Sequence, residues 1–332
     1  MNLRPPCGAS PSPRARTVAQ NTPGYAMTVD FLAPKFLILY VFLCSSLYMH
    51  FRGRARLPLL RQIGNHSTIT APYNVLMYLF SAVPNRPYLD LKNFPEMATL
   101  RDNWQVIREE AQVLLGGGNL KAASDHIDIG FNSFFQRGWR RFYLKWYDTP
   151  PASARALCPR TVALLESIPS VNAAMFALLP PGARLNEHRD PSAASVRYHL
   201  GIITPNDDRC YINVDGQSYS WRDGQDVMFD ETYLHFAENN TDQTRLILFC
   251  DVERPLHTPV IRALNRLFER VVLRAAATQN EGGEDIGWIN RAYKPIGVVK
   301  EWLKALKRTN KPLFNAAKYL LIIALLYWLF LA

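Results

Sequence analysis

Paired cysteines are missing from this chain. The five present, Cys7, Cys44, Cys158, Cys210 and Cys250, are odd in number, scattered and never spaced C-x-x-C. That pattern excludes a disulfide framework or a zinc ribbon and leaves reduced, mostly buried thiols in a cytosolic setting. No RNP-type motif, zinc-finger spacing or internal repeat is evident, so the net charge of +10 is not expected to serve nucleic acid. Acidic residues are absent from 1–26, and that stretch has no apolar h-region, which excludes a secretory signal peptide. Residues 1–30 therefore read as a disordered tail, with Met27 as an alternative start.

Strictly uncharged runs of the roughly 20 residues that a spanning helix needs are also lacking. Two stretches come close. Between Phe31 and Phe51 only Lys35 is charged, and between Pro312 and Ala332 only Lys318. A buried core helix has the same composition. Both stretches lie at the termini, however, and a lysine near a helix end can reach the head groups. Residues 31–51 and 312–332 are thus expected to be transmembrane helices. Arg52, Arg54, Arg56 and Arg61 follow the first, and residues 291–318 carry eight Lys or Arg against Glu301 alone. Both basic flanks place the intervening chain in the cytoplasm. Arg4, Arg14 and Arg16 point the other way. Residues 71–83 and 296–307 read either as interfacial segments or as amphipathic helices packed on the domain.

The middle of the chain has ordinary composition for one folded core, with 48% hydrophobic and 20% charged residues overall. Helical periodicity runs over 95–116 and stops at Gly116-Gly117-Gly118. From 126 onward, short strand-like runs such as VRYHLGIIT, CYINV and RLILFCDV alternate with turns such as PNDD and RDGQ. Strands without intervening helices predict an antiparallel barrel or sandwich. The expected divisions are a basic, helical juxtamembrane region at 52–125, a catalytic domain at 126–256 and a basic helical region at 257–311.

Within the strand-rich part stands His188-Arg189-Asp190, with His235 and Arg245 further on. Side chains at i and i+2 of a strand share a face, so His188 and Asp190 can bind one ion together. His235 completes a 2-His-1-carboxylate set, which leaves open positions on an octahedral Fe(II), whereas a structural zinc site would be closed. His-x-Asp alone is also a common surface pair. Arg245 adds weight, because an arginine opening an apolar strand needs an anionic partner, such as the distal carboxylate of 2-oxoglutarate. Arg197 and His199 share one face of VRYHLGIIT.

The motifs H-R-D-P, R-Y-H-L-G, W-x-x-G, F-D-x-x-x-x-H and R-x-I-L-F-x-D-V together resemble the aspartyl/asparaginyl β-hydroxylase family of Fe(II)/2-oxoglutarate dioxygenases. Within it the chain is most similar to the bacterial membrane-bound lipid A hydroxylases. The resemblance implies a mainly β protein, a double-stranded β-helix (jelly-roll, cupin-like) with flanking helices and terminal transmembrane helices. It implies His188, Asp190 and His235 as iron ligands and Arg245 at the distal carboxylate. Arg197 and His199 would lie near the other end of 2-oxoglutarate, and Trp139 beside it. Asp190 stands where animal peptide hydroxylases of the family lack a carboxylate, and Ala177 replaces a family serine. The implied reaction uses O₂ to 2-hydroxylate an acyl chain of lipid A or a related anionic lipid. Alternatives are an Asp or Asn side chain, an ornithine lipid, or a tethered scaffold without catalysis.

Overall fold

The computed structural model describes residues 30–118, 120, 138–147, 149–273, 280, 287 and 302–330. The expected tail at 1–30, apart from Asp30, and the first half of the expected segment 296–307, at 296–301, lie outside these residues. Two antiparallel sheets face each other. The larger has the order β1-β8-β5-β10-β3-β2, the smaller β4-β9-β6-β7. The strands are β1 Tyr88–Leu89, β2 Arg140–Trp146, β3 Val171–Leu179, β4 Arg184–His188, β5 Ser195–Ile203, β6 Cys210–Val214, β7 Gln217–Ser220, β8 Asp226–Phe229, β9 His235–Asn239 and β10 Arg245–Glu253. From β3 onward the chain alternates between the sheets, except at the β6–β7 hairpin within the smaller one, which is the double-stranded β-helix order, so the expected jelly roll is the fold observed.

Burial explains why some strands read as continuous apolar runs. The larger sheet is covered on both faces. On β5, Val196, Tyr198, Leu200 and Ile202 face outward, into a core shared with helices. On β10, Leu246, Leu248, Cys250 and Val252 do the same. Strands buried on both faces have no polar side to alternate with. The smaller sheet keeps one face in solvent, and β6 and β9 alternate cleanly between buried and half-buried positions. Strand β4 has no such pattern. It lies at the sheet edge with mostly exposed side chains, and only its pairing with β9 reveals it.

The periodic stretch 95–116 is divided. A 3₁₀ turn Pro95–Met97 and a short helix Ala98–Asp102 precede a helix at Trp104–Gly116. At the break, Asn103 spends its side-chain amide on the Thr99 carbonyl at 2.9 Å, a local bond that competes with the helical ladder. Ile107, Ala111 and Leu114 enter the same core as the larger sheet, and that core reaches back to Val83. The packed unit therefore starts well before the boundary at 126 drawn from strand patterning.

Helix α1, Pro34–Phe51, and helix α2, Lys311–Phe330, are long and apolar enough to cross a membrane. Helix α3, Ala71–Leu79, is mostly packed rather than interfacial. Its Met77 and Tyr78 join Met49 of α1, Ala193 and Leu256 in a third core. Arg52 departs from its expected place among the head-group-facing arginines. It is buried, paired with Asp230 at 2.7 Å and bonded to Thr232 at 2.6 Å and to Tyr78. Arg54, Arg56 and Arg61 are exposed.

Gly201 marks a close approach between the sheets' connections. A Cβ there would sit 2.0 Å from the Arg222 carbonyl oxygen, which is backbone and cannot swing aside. Gly201→Ala should destabilise the domain by about 1–3 kcal/mol, measured by thermal denaturation. An unchanged melting temperature would mean that the 222–225 turn gives way freely.

Candidate metal centre

The jelly roll opens at the end where β4 runs out and β9 begins, and the register there sets His188 directly opposite His235. Their ring centroids are 4.2 Å apart. Asp190, just past the end of β4, brings its carboxylate to 3.6 Å from His188 Nε2. Ligand atoms of His188, Asp190 and His235 all lie within 4.8 Å of one another. Both histidines are oriented by their own strands: the Nδ1 of His188 meets the Asn186 carbonyl at 2.7 Å, and that of His235 the Tyr233 carbonyl at 2.9 Å. A carbonyl only accepts, so each Nδ1 carries the proton and each Nε2 lone pair faces the cluster. This donor set fits a hard or borderline divalent ion with several coordination positions left over.

Charge around the cluster favours a cation. Burial works to raise the Asp190 carboxyl, but Arg197, His235 and His188 outweigh it and hold it below the ordinary carboxylate value. Burial lowers His235 to about 3, and the neighbouring His188 adds to the effect, so the imidazole is neutral and ready to ligate. Arg197 is gripped from three sides: Asp190 at 2.7 Å, Asp251 at 2.5 Å and Glu231. It also stacks over Phe249 at 3.7 Å. Of these carboxyls, Asp251 is raised by burial against the pull of Arg197, whereas Asp190 is held low beside the triad.

Across the cavity the balance reverses. Arg245 is 2% exposed, lies 4.4 Å over the Trp221 ring, and forms no ion pair among the described residues. Its Nε has no hydrogen-bond partner, and burial lowers the guanidinium to about 10. His199 is buried among Phe229, Phe249 and Trp221, and neither ring nitrogen has a hydrogen-bond partner among the described residues. Burial, then the Arg197 and Arg245 charges, hold it well below the usual histidine value. Orphaned buried donors of this kind are costly unless a ligand satisfies them. A dicarboxylate co-substrate with one end toward Arg245 fits them.

The cavity thus gathers every residue singled out from the sequence: His188, Asp190, His235, Arg245, Arg197, His199 and Trp139, with Ala177 in the wall. Arg197 takes a different posture from the one expected, since its guanidinium is spent on carboxylates rather than held open. Glu231 and Asp251 were not singled out. Asp251 was legible as an acid following an apolar run, but only the pairing of β5 with β10 sets it opposite Arg197. Glu231 lies in the turn before β9, where no periodicity shows which way it faces.

A double-stranded β-helix with a His-x-Asp…His cluster in its open end defines the class: a jelly roll whose facial triad could hold one metal ion. Residues 101–255 match the family model described as Aspartyl/Asparaginyl beta-hydroxylase, and over these residues the chain is similar to that hydroxylase family. The chain is 35% identical over 183 residues to an ornithine lipid ester-linked acyl 2-hydroxylase of Rhizobium tropici, covering 54% of this chain and 65% of that protein. It is 26% identical over 166 residues to the human aspartyl/asparaginyl beta-hydroxylase, covering 48% of this chain and 21% of that protein. With the human aspartate beta-hydroxylase domain-containing protein 2 it shares 33% identity over 194 residues, 54% of this chain and 50% of that protein. It spans less than two thirds of each of these relatives.

Proposed function

We propose that this protein is an Fe(II)- and 2-oxoglutarate-dependent dioxygenase that hydroxylates an acyl chain of an anionic membrane lipid. The observation that carries the reading is the buried Arg245 across the cavity from the triad, which has no ion pair among the described residues. His188, Asp190 and His235 would hold the iron, Arg245 the distal carboxylate of 2-oxoglutarate, and His199 and Trp139 its flanks. Bound iron with 2-oxoglutarate and O₂ supplies oxidising power for an unactivated C–H bond. The protein orients these groups and keeps water from the apolar wall formed by Ala177, Ile247 and Phe249.

The lipid substrate is supported by the two spanning-length helices and the lipid-modifying relative. Lipid A at the cytoplasmic face of the inner membrane is the leading candidate, and that relative's printed substrate makes an ornithine lipid the second. Mass spectrometry of lipid extracts from cells with and without the gene separates them. One added oxygen on an acyl chain of lipid A supports the first, the same change on ornithine lipid the second. No added oxygen on either would sink the lipid reading.

Arg245→Leu should raise the KM for 2-oxoglutarate by roughly 100-fold, since a charge-assisted pair is worth about 1.5–3 kcal/mol. Iron affinity should not move. An unchanged KM would remove Arg245 from the co-substrate site.

A further inference from the structure

A helix at Pro259–Phe268, here α4, presents two unlike stripes. Ile261, Asn265 and Phe268 face the protein: Ile261 packs on the third core, Asn265 is buried and accepts from the Tyr73 hydroxyl at 2.6 Å, and Phe268 stacks on Tyr73 at 4.2 Å. The adjoining stripe, Val260, Leu264 and Leu267, continued by Val271, is exposed. Four apolar side chains at helical spacing, left uncovered beside a well-packed face, need a partner. Helix α3 lies alongside through Tyr73. Just before it, Leu60, Ile63 and Ile69 are 86%, 64% and 74% exposed. Arg54, Arg56 and Arg61 in the same connecting segment form no ion pair among the described residues.

This segment is fastened to the metal site. His66 Nε2 meets the carbonyl of Arg189, between the two ligands His188 and Asp190, at 2.6 Å. Asn74 bonds the Pro191 carbonyl at 3.0 Å and accepts from the Ala193 amide at 2.8 Å. At its other end the segment leaves α1, whose Met49 joins the same core.

We propose that Leu60, Ile63 and Ile69, together with the Val260–Leu264–Leu267 stripe, form a docking surface for an anionic phospholipid bilayer that sets the open end of the jelly roll against the head groups. Apolar side chains would enter the acyl boundary while Arg54, Arg56 and Arg61 meet lipid phosphates. The inference rests on the lipid reading above and adds how a water-folded domain reaches a chain inside a bilayer.

The test uses the full chain, with Cys7 and Cys44 changed to serine, reconstituted in vesicles of phosphatidylethanolamine and phosphatidylglycerol that also carry lipid A and ornithine lipid. A polarity-sensitive probe is attached in turn at Ile63→Cys, Leu264→Cys and Asp208→Cys, the last in the β5–β6 loop at the far end of the jelly roll. Acyl-brominated lipid should quench the first two at least about twofold more than the third. Leu264→Glu with Leu267→Glu should lower lipid oxygenation about tenfold, while 2-oxoglutarate turnover without lipid stays level. Equal quenching at all three positions overturns the proposal. So does shielding of 63 and 264 without quenching, whether it depends on protein concentration (a second copy) or not (the chain's own residues). Lipid oxygenation by the wild type is measured in the same vesicles. Quenching without oxygenation keeps the surface and removes the substrate, and oxygenation without quenching removes only the surface.

Discussion

Asp190→Ala should lower iron affinity by at least about 100-fold and bring 2-oxoglutarate turnover to background. Asp190 supplies the cluster's one carboxylate. Without it, an ion would keep only His188 and His235, two neutral donors that bind a hard divalent ion weakly. The fold should survive, because Arg197 keeps Glu231 and Asp251 as partners and is not left as a bare buried charge. The measurements are equilibrium metal binding, turnover and a melting curve on the same preparation. Unchanged metal affinity would mean that Asp190 only neutralises Arg197. Negligible turnover in wild type and variant alike would favour the tethered scaffold.

The second large effect is on stability. Asp230 lies at the centre of the assembly, fully buried, with one carboxylate oxygen shared by Arg52 at 2.7 Å and Arg254 at 2.8 Å. The other oxygen accepts from the Thr232 amide at 3.0 Å and from its hydroxyl. Burial would raise this carboxyl, but the two guanidinium groups outweigh that cost and hold it well below the carboxylate range. A depressed carboxyl contributes its full stability above its unfolded pKa of about 3.9 and loses it only as pH falls through the folded value. At neutral pH the contribution is complete. Asp230→Ala leaves two arginines buried without a counter-ion and should cost about 3–5 kcal/mol, read by denaturant unfolding of the detergent-solubilised protein. The effect should also reach the site, because the 230–233 turn positions His235 through the Tyr233 carbonyl. A loss under about 1 kcal/mol would show that water enters and solvates the arginines.

Arg52 also shows how a sequence pattern can mislead. Four arginines just past an apolar helix read as a head-group flank, and three of them are exposed as that reading requires. Arg52 turns inward because Asp230, far along the chain, needs a partner at the helix exit. Charge clustering is a local property of the sequence, whereas a buried ion pair is set by which strands meet. The same holds for the division at 126. Periodicity found the helix ending at Gly116, but not that its apolar face packs on the larger sheet.

The sequence by itself determined the strand-rich core, the two long apolar helices and six of the seven side chains that meet in one cavity, Trp139 being singled out only by the family resemblance. Those features are local: strand and helix periods, His-x-Asp on one strand face, and an arginine opening an apolar strand. Tertiary structure alone decided the partners. The pairing of β4 with β9 opposes the two histidines, and that of β5 with β10 gives Arg197 to Asp251. It also left Arg245 without an anion among the described residues, the feature on which the proposed dicarboxylate co-substrate rests. Such contacts depend on register across strands dozens of residues apart, and no spacing along the chain encodes that register.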